Sequence, residues 1–385
     1  MQLKNYTYTY KEIIQQPDMW LKEYQLIYNQ REMIKTFLSE NNVSKDSEII
    51  LTGAGTSAFI GNVLECILLQ KGFSNCKAVA TTDIITHPGA YLSSNREIIL
   101  VSFARSGNSP ESLATVEIAN AIAKKVLHIV ITCNKEGKLA MTANNTNTLL
   151  LFLPPETNDQ SLAMTSSFST MMLAFLLLTD IEQIEKKKLI IGQLCEGARE
   201  MLDKYEQSIE EIAGRDFSRA IFLGSGELKG IAEECHLKLQ ELTDGDIICK
   251  FDSFLGFRHG PKAVINDKSI LIYLLSSNKY IQQYEKDLIK QINLNNQVVA
   301  QVAVSADKAV VVEGVKFDLQ VSMDNLFSQT KEYSFIPYVI MGQLLGFFKS
   351  LSKGLNPDNP SISGNISRVV EGVIIYDLPE KNKNY

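Results

Sequence analysis

Three stretches of this chain combine residue types and spacing that can do chemistry. The first is Leu51-Thr-Gly-Ala-Gly-Thr-Ser-Ala58, where an apolar run ends in glycines and an amphipathic run begins. A strand that turns into a helix in this way leaves the first backbone N–H groups of the helix free and places the positive end of its dipole at the turn, which favours an anion. Thr56 and Ser57 add hydroxyl donors beside Gly55. The second stretch is Val101-Ser-Phe-Ala-Arg-Ser-Gly-Asn-Ser-Pro-Glu111, with Pro110 suited to a first helical position. Here Ser106, Asn108 and Ser109 can donate to phosphate oxygens, in a loop that also holds Arg105 and Gly107. A Ser-Gly-Asn-Ser loop is equally an ordinary helix cap. Two such loops after successive strands converge at the C-terminal edge of one sheet, where open α/β folds hold their ligands.

The third stretch runs from Leu223 to Glu241 and carries Glu234, Lys238 and Glu241. Their i, i+4, i+7 spacing puts all three on one helix face. Such a set is a solvated Glu–Lys–Glu ladder on many helices. The loop just downstream favours acid–base work: Phe251-Asp-Ser-Phe-Leu-Gly-Phe-Arg-His259-Gly-Pro-Lys262 holds a histidine between glycines and a proline. A histidine in so constrained a loop is a candidate general acid or base.

The elements that position these residues alternate. Helical periodicity over residues 10–40 predicts a helical lead-in that packs on the first lobe or on a partner subunit. Strands are expected at Ile49–Thr52, Cys76–Thr81, Glu97–Phe103, Val126–Thr132 and Leu149–Phe152, with helices at Ala58–Gln70, Pro110–Lys124 and Thr165–Asp180. Ile184–Gly214 reads as a long helical connector, after which the pattern restarts with strand Arg219–Leu223, a Gly224-Ser225-Gly226 turn and helix Gly230–Thr243. Strands Ser269–Leu275 and Val298–Val304 and helices Tyr280–Asn293 and Phe335–Leu351 complete it. Repeated strand–helix units imply an α/β protein with parallel sheets covered on both faces. The recurrence of strand, glycine turn and helix implies two related domains. The expected organisation is a helical segment over residues 1–45, a domain with the cradle over 46–200, and a domain with the charged helix, the histidine loop and the tail over 201–385.

Composition fits that class. The chain has 385 residues, 45% hydrophobic and 21% charged, with a net charge of −6. It has no basic stripe with interleaved aromatics, so nucleic acid is not an expected partner. The N-terminus lacks the pattern of a secretory signal, and no run approaches the roughly 20 apolar residues of a membrane span. The most apolar stretch, Thr170 to Leu178, reads as a buried helix. Six scattered cysteines suit a cytoplasmic protein, and the four histidines have no metal-ligand spacing, so no metal is expected. Gly53-x-Gly55-x-x-Ala58 also fits the dinucleotide fingerprint, but Asp83 lies beyond the position, roughly 20 residues on, of its ribose-binding acid. A nicotinamide site also leaves the hydroxylated second loop unexplained, and a dehydrogenase stands as a minor alternative.

From about residue 40 to 378 the chain resembles the SIS (sugar isomerase) domain family, as two tandem domains. Gly55-Thr56-Ser57 and Ser106-Gly107-Asn108-Ser109 are similar to its ligand loops. Glu234-x-x-x-Lys238-x-x-Glu241 and His259-Gly260-Pro261 resemble the isomerase half of glucosamine-6-phosphate synthase. Phe103 to Ser112, Ser161 to Phe168, Leu255 to Lys262 and Arg368 to Gly372 resemble the AgaS group of galactosamine-6-phosphate deaminases and tagatose-6-phosphate ketose/aldose isomerases. The resemblance implies two doubly wound parallel sheets in three α/β/α layers and a phosphorylated sugar as ligand. It implies no cofactor, and a homodimer or higher homo-oligomer with shared active sites. It makes Glu241 the base that moves a proton between C1 and C2. His259, supplied by a neighbouring subunit, opens the sugar ring. Lys238 and Glu234 support Glu241, and Thr165 and Ser166 border the sugar. Two departures stand out: Asp358-Asn-Pro360 lies where the synthase has its Schiff-base lysine, and Gly256 lies where its loop has a glutamate. The expected reaction is therefore galactosamine 6-phosphate and water to tagatose 6-phosphate and ammonia. Aldose–ketose isomerisation without nitrogen, and a non-catalytic sugar-phosphate sensor, are the alternatives.

Overall fold

A computed structural model of the chain describes residues 7–143, 147–295, 297–323, 331–370 and 372–378. The chain divides into two compact units. One comprises Lys22–Asn158, Thr170–Ile184 and Ser367–Tyr385. The other comprises Met1–Leu21, Asp159–Ser169 and Glu185–Ile366.

The first unit holds β1 (Glu48–Thr52), β2 (Cys76–Ala78), β3 (Glu97–Ala104), β4 (Lys125–Thr132) and β5 (Thr148–Phe152). All pair in parallel in the order β2-β1-β3-β4-β5. The chain passes from β1 outward to β2 and then back across to β3. The order therefore reverses between β1 and β3, and the crevice at their carboxyl ends is the switch point of a doubly wound sheet. Leu51 pairs with Val101 and Thr52 with Ser102, so the loops that follow β1 and β3 leave the sheet side by side. After its first residue β3 is buried throughout, as a parallel sheet covered on both faces requires. Ile50, Leu100, Ile118 and Val126 share a core against which Ile375 and Leu378 also pack.

The second unit repeats this plan with β6 (Arg219–Leu223), β7 (Ile248–Asp252), β8 (Ser269–Leu275), β9 (Ala300–Ser305) and β10 (Leu319–Ser322). Their order is β10-β9-β8-β6-β7, again all parallel, with the switch point between β6 and β8. Ile221, Leu271, Tyr273, Phe254 and Phe257 pack in its core, each side chain contributing roughly 1.5–3 kcal/mol by leaving water. The same glycine turn opens the first helix of each unit: Gly55 has φ 56° and ψ −129°, and Gly226 has φ 59° and ψ −129°. These angles suit a residue without Cβ.

The periodicity-based expectations meet four differences. β2 stops at Ala78, and Thr81–Thr86 and Pro88–Tyr91 form short helices. β7 and β10 carry no strong strand signal because they are edges: β7 is short and only half-buried, with Lys250 and Asp252 along it, and β10 has 4 residues. The helix Tyr8–Ile14 of the lead-in groups with the second unit. There Asp358 accepts from the backbone N–H groups of Tyr8 (3.0 Å) and Thr9 (2.8 Å), a carboxylate set against a helix N-terminus.

Candidate active site

In the first unit, the loop after β1 is tight. A Cβ on Gly53 would stand 2.6 Å from the Ser57 carbonyl carbon. Thr56 and Ser57 open the helix Thr56–Gln70 and are buried. In the loop after β3, Gly107 takes a positive φ of 64°. The Asn108 N–H donates to Ser106 Oγ (3.3 Å), and the loop leans on its neighbour after β4. Asn134 Nδ2 donates to the Ser106 carbonyl (2.9 Å), and the Lys138 N–H donates to Asn108 Oδ1 (3.0 Å). Ser109 is the N-cap of Pro110–Ile122, accepting from the Ser112 N–H and sharing a 2.7 Å hydrogen bond with the Ser112 hydroxyl. The helix-cap function is thus realised, while Ser106 and Ser109 stay half-exposed and Asn108 exposed. Arg105 is buried, and its Nη2 donates to the Arg368 carbonyl at 2.5 Å. Arg368 in turn donates to Asn158 Oδ1 (3.0 Å). Arg105 thereby ties the segment after residue 366 to the loop after β3.

In the second unit, the charged helix runs over Glu227–Leu242. Its three charges do not form a solvated ladder. The side chains of Glu234 and Lys238 are 0% and 1% exposed, and that of Glu241 is 24% exposed. Lys238 Nζ lies 3.5 Å from Glu234 Oε1 and donates to Glu241 Oε2 at 2.6 Å. Glu241 Oε1 accepts nothing among the described residues. Glu241 is thus the member of the triad that can meet a ligand, Lys238 holds it from behind, and Glu234 pairs with Lys238 alone. Burial of the triad follows from close packing against the helix Tyr338–Ser352. A Cβ on Gly342 would come within 2.5 Å of Cys235 Cβ, and one on Gly346 within 3.1 Å of the Lys238 carbonyl. Burying charge this way costs several kcal/mol per ion before pairing offsets it, so the triad argues for function more than for stability.

Sequence reasoning passed over His236. It lies on the same helix with its ring 4.8 Å from that of Phe251, and its Nδ1 meets the Glu233 carbonyl. Burial lowers its pKa from the usual histidine value, with Lys238 lowering and Glu241 raising it. No spacing signal separates it from a packed core histidine.

His259 lies exposed just beyond the short helix Phe254–Phe257, which Ser253 caps by accepting from the Gly256 N–H (3.0 Å). Gly260 follows with φ 111° and open space around it. At Gly256 a Cβ would stand 2.7 Å from Ser253 Oγ and 2.8 Å from Asp252 Oδ1. A glutamate there would displace the cap, which gives the glycine a local reason.

Thr165 and Ser166 are wholly buried at the start of the helix Ser166–Thr179. Asp159 accepts from the Thr165 N–H (2.8 Å), the Ser166 hydroxyl (2.5 Å) and the Ser167 N–H (3.0 Å). Gln15 Nε2 also reaches Ser166 Oγ (3.0 Å). Their hydroxyls serve the helix start rather than an open surface. Glu12 joins this cluster, accepting from the Ser161 N–H and hydroxyl. Among the described residues no group of three His, Cys, Asp or Glu could hold a metal ion, and no single helix is long and apolar enough to cross a membrane.

Two doubly wound sheets of one topology, with a hydroxylated loop on one and a buried carboxylate–lysine helix on the other, are the architecture of tandem sugar isomerase domains. Residues 43–180 match the SIS domain model. The chain belongs to the SIS domain family, and relatives that match nearly its full length include AgaS proteins. It is 37% identical to the D-galactosamine-6-phosphate deaminase AgaS of Escherichia coli over 372 residues, 96% of each chain. It is likewise 37% identical to that of Shewanella sp. strain ANA-3, over 96% of this chain and 92% of the other. Among solved structures, the tagatose-6-phosphate ketose/aldose isomerase from Escherichia coli matches with a TM-score of 0.87 and 34% identity, covering 96% of both chains.

Proposed function

We propose that the protein is a deaminating isomerase that converts D-galactosamine 6-phosphate and water to tagatose 6-phosphate and ammonia. The observation that carries the site assignment is the half-exposed Glu241 carboxylate held by buried Lys238. In this reading Thr56, Ser57 and the Ser106–Ser109 loop hold the phosphate, and much of the rate enhancement comes from positioning. His259 assists ring opening. Glu241 takes the C2 proton of the open-chain amino aldehyde, giving an enolamine, and a proton delivered to C1 gives the 2-ketimine. Water adds at C2, and ammonia leaves as the ketone forms. The balance is one water in and one ammonia out, with no net oxidation and no cofactor.

The name carried by the Escherichia coli structure supports a second reading, ketose/aldose isomerisation of tagatose 6-phosphate with the same residues. Ammonia release from galactosamine 6-phosphate by purified protein decides between them. If none is released and tagatose 6-phosphate is converted, the isomerase reading replaces the first. A sugar-phosphate sensor would have no need of a buried lysine behind an accessible carboxylate.

We also propose a cytoplasmic homo-oligomer in which His259 serves a neighbouring subunit's site. Its exposure, with no hydrogen bond to its ring among the described residues, supports this, as do six free cysteines for a reducing compartment. Mixing inactive Glu241→Gln and His259→Ala proteins under subunit exchange restores activity if sites are shared, and leaves it absent if each chain is self-sufficient.

A further inference from the structure

The switch point of the second sheet carries a copy of the phosphate cradle with different contents. Gly226 repeats the backbone of Gly55. The Asn278 N–H donates to Ser276 Oγ at 3.1 Å, as the Asn108 N–H donates to Ser106 Oγ at 3.3 Å. In this common frame Ser276 answers to Ser106, Asn278 to Asn108, and Glu227 to Thr56. Glu285 stands 9 residues beyond Ser276, where the first unit has Thr115 at the same separation from Ser106. Thr115 turns away and donates to the Thr81 carbonyl (3.4 Å).

Glu285 instead reaches back into the loop. It is fully buried, and its Oε1 and Oε2 lie 3.3 and 3.1 Å from the Ser276 backbone nitrogen. Ser225, in the loop after β6, stands close enough to the same carboxyl to lower its pKa. Gln282 Nε2 holds the loop from the other side by donating to the Ser276 carbonyl (2.6 Å). A backbone N–H and a serine hydroxyl, converging from the two loops of a switch point, are the donors such a fold offers an anionic ligand.

We infer that Glu285 fills the second cradle as an internal carboxylate, in the place an external phosphate would take, so that each chain holds its phosphate monoester in the first cradle alone. The neighbouring carboxylates act in the same sense, although Lys279, Lys286, Lys308 and Lys331 line the cavity beside Gln282. Glu227, at the helix start where the first unit has Thr56, raises the Glu285 pKa, and Tyr338 is in turn influenced by Glu285, Asp307 and Glu227. Tyr338 is already engaged, donating to the Leu275 carbonyl and accepting from the Ala306 N–H. A dianion entering here would meet two carboxylates. Burial pushes the Glu285 carboxyl up to about 7, with the Ser276 hydrogen bond and nearby Ser225 opposing that rise. Even when neutral the side chain occupies the donors.

The inference rests on the reading of Ser106–Ser109 as a phosphate cradle, and the test separates the two. Equilibrium dialysis of radiolabelled inorganic phosphate against the full chain counts bound ions. Wild-type protein should bind one per chain, Ser106→Ala/Ser109→Ala none, and Glu285→Ala one more than wild type. Glu285→Gln, which keeps the filled shape without charge, should add none. Equal binding by wild type and the double-serine variant sinks the first-cradle reading alone. A folded Glu285→Ala chain that gains no phosphate overturns the inference. So does a phosphate-soaked wild-type crystal with the ion against Ser225 and Ser276, a result that needs no variant to fold.

Discussion

Lys238 donates to Glu241 Oε2 at 2.6 Å while itself 1% exposed, so the accessible carboxylate of the second unit is fixed by a cation that solvent does not reach. This geometry separates two roles that one substitution would otherwise confuse. Removing the carboxylate's charge and removing its anchor should have different signatures.

Glu241→Gln keeps an oxygen for Lys238 and removes the carboxylate proposed as the base. We expect kcat for ammonia release to fall by about 10²- to 10⁴-fold with KM little changed, the range associated with a positioned general base. Steady-state kinetics on galactosamine 6-phosphate measures it, and full retained turnover would falsify the assignment.

Lys238→Met leaves Glu234 and Glu241 facing each other without their cation. Stability should drop by about 3–5 kcal/mol, the cost of breaking a buried ion pair from one side. Urea denaturation followed by circular dichroism reads it. An unchanged midpoint would mean that the pair is solvated in solution.

Gly342→Ala tests the packing that buries the triad. The added methyl has Cys235 Cβ and Sγ at 2.5 Å, so the two helices must separate. A loss of about 1–3 kcal/mol is expected for overpacking, together with a fall in kcat because the helix carrying Glu241 shifts. A kcat equal to wild type at full occupancy would uncouple that contact from the chemistry.

Ser106→Ala with Ser109→Ala should raise the KM for the sugar phosphate by at least about tenfold, two lost anion contacts at roughly 1.5–3 kcal/mol each allowing more. Ser109 is also an N-cap, so about 1 kcal/mol of stability should go with it. Thermal melts with and without inorganic phosphate separate the two effects. Loss of stability with an unchanged phosphate response would leave Ser109 as a cap only.

Glu12 makes a pH prediction. Burial foremost, then the Asp159 charge, pushes its carboxyl up from 4.5 to about 7. Between those values the folded chain binds more protons at this site than the unfolded chain, so its contribution to stability falls as pH rises through that window. Melting temperatures from pH 5 to 8 should decline less steeply in Glu12→Gln than in wild type. Parallel curves would show that Glu12 does not titrate there.

Much of this was legible in the sequence because the signals were local. Glycines before a helix start, a Ser-Gly-Asn-Ser loop after a buried strand, and i, i+4, i+7 charges each have a short-range cause. What escaped was set by tertiary contacts. Nothing in the spacing of Glu234, Lys238 and Glu241 distinguishes a buried triad from a solvated one; Gly342 and Gly346, about a hundred residues on, decide it. The burial of Thr165 and Ser166 is likewise tied to Asp159, which accepts from the Thr165 N–H and the Ser166 hydroxyl. The edge strands β7 and β10 lack the two-faced apolar run that marked β3 and β8.

The contact between the helices Glu227–Leu242 and Tyr338–Ser352 has a consequence for motion. Backbones that approach over glycines have no side-chain layer to slide on, so Glu241 sits on a stiff mount. Any hinge that admits substrate or releases ammonia belongs in the loops. Gly260, with φ 111° and open space around it beside His259, has the backbone freedom to act as one.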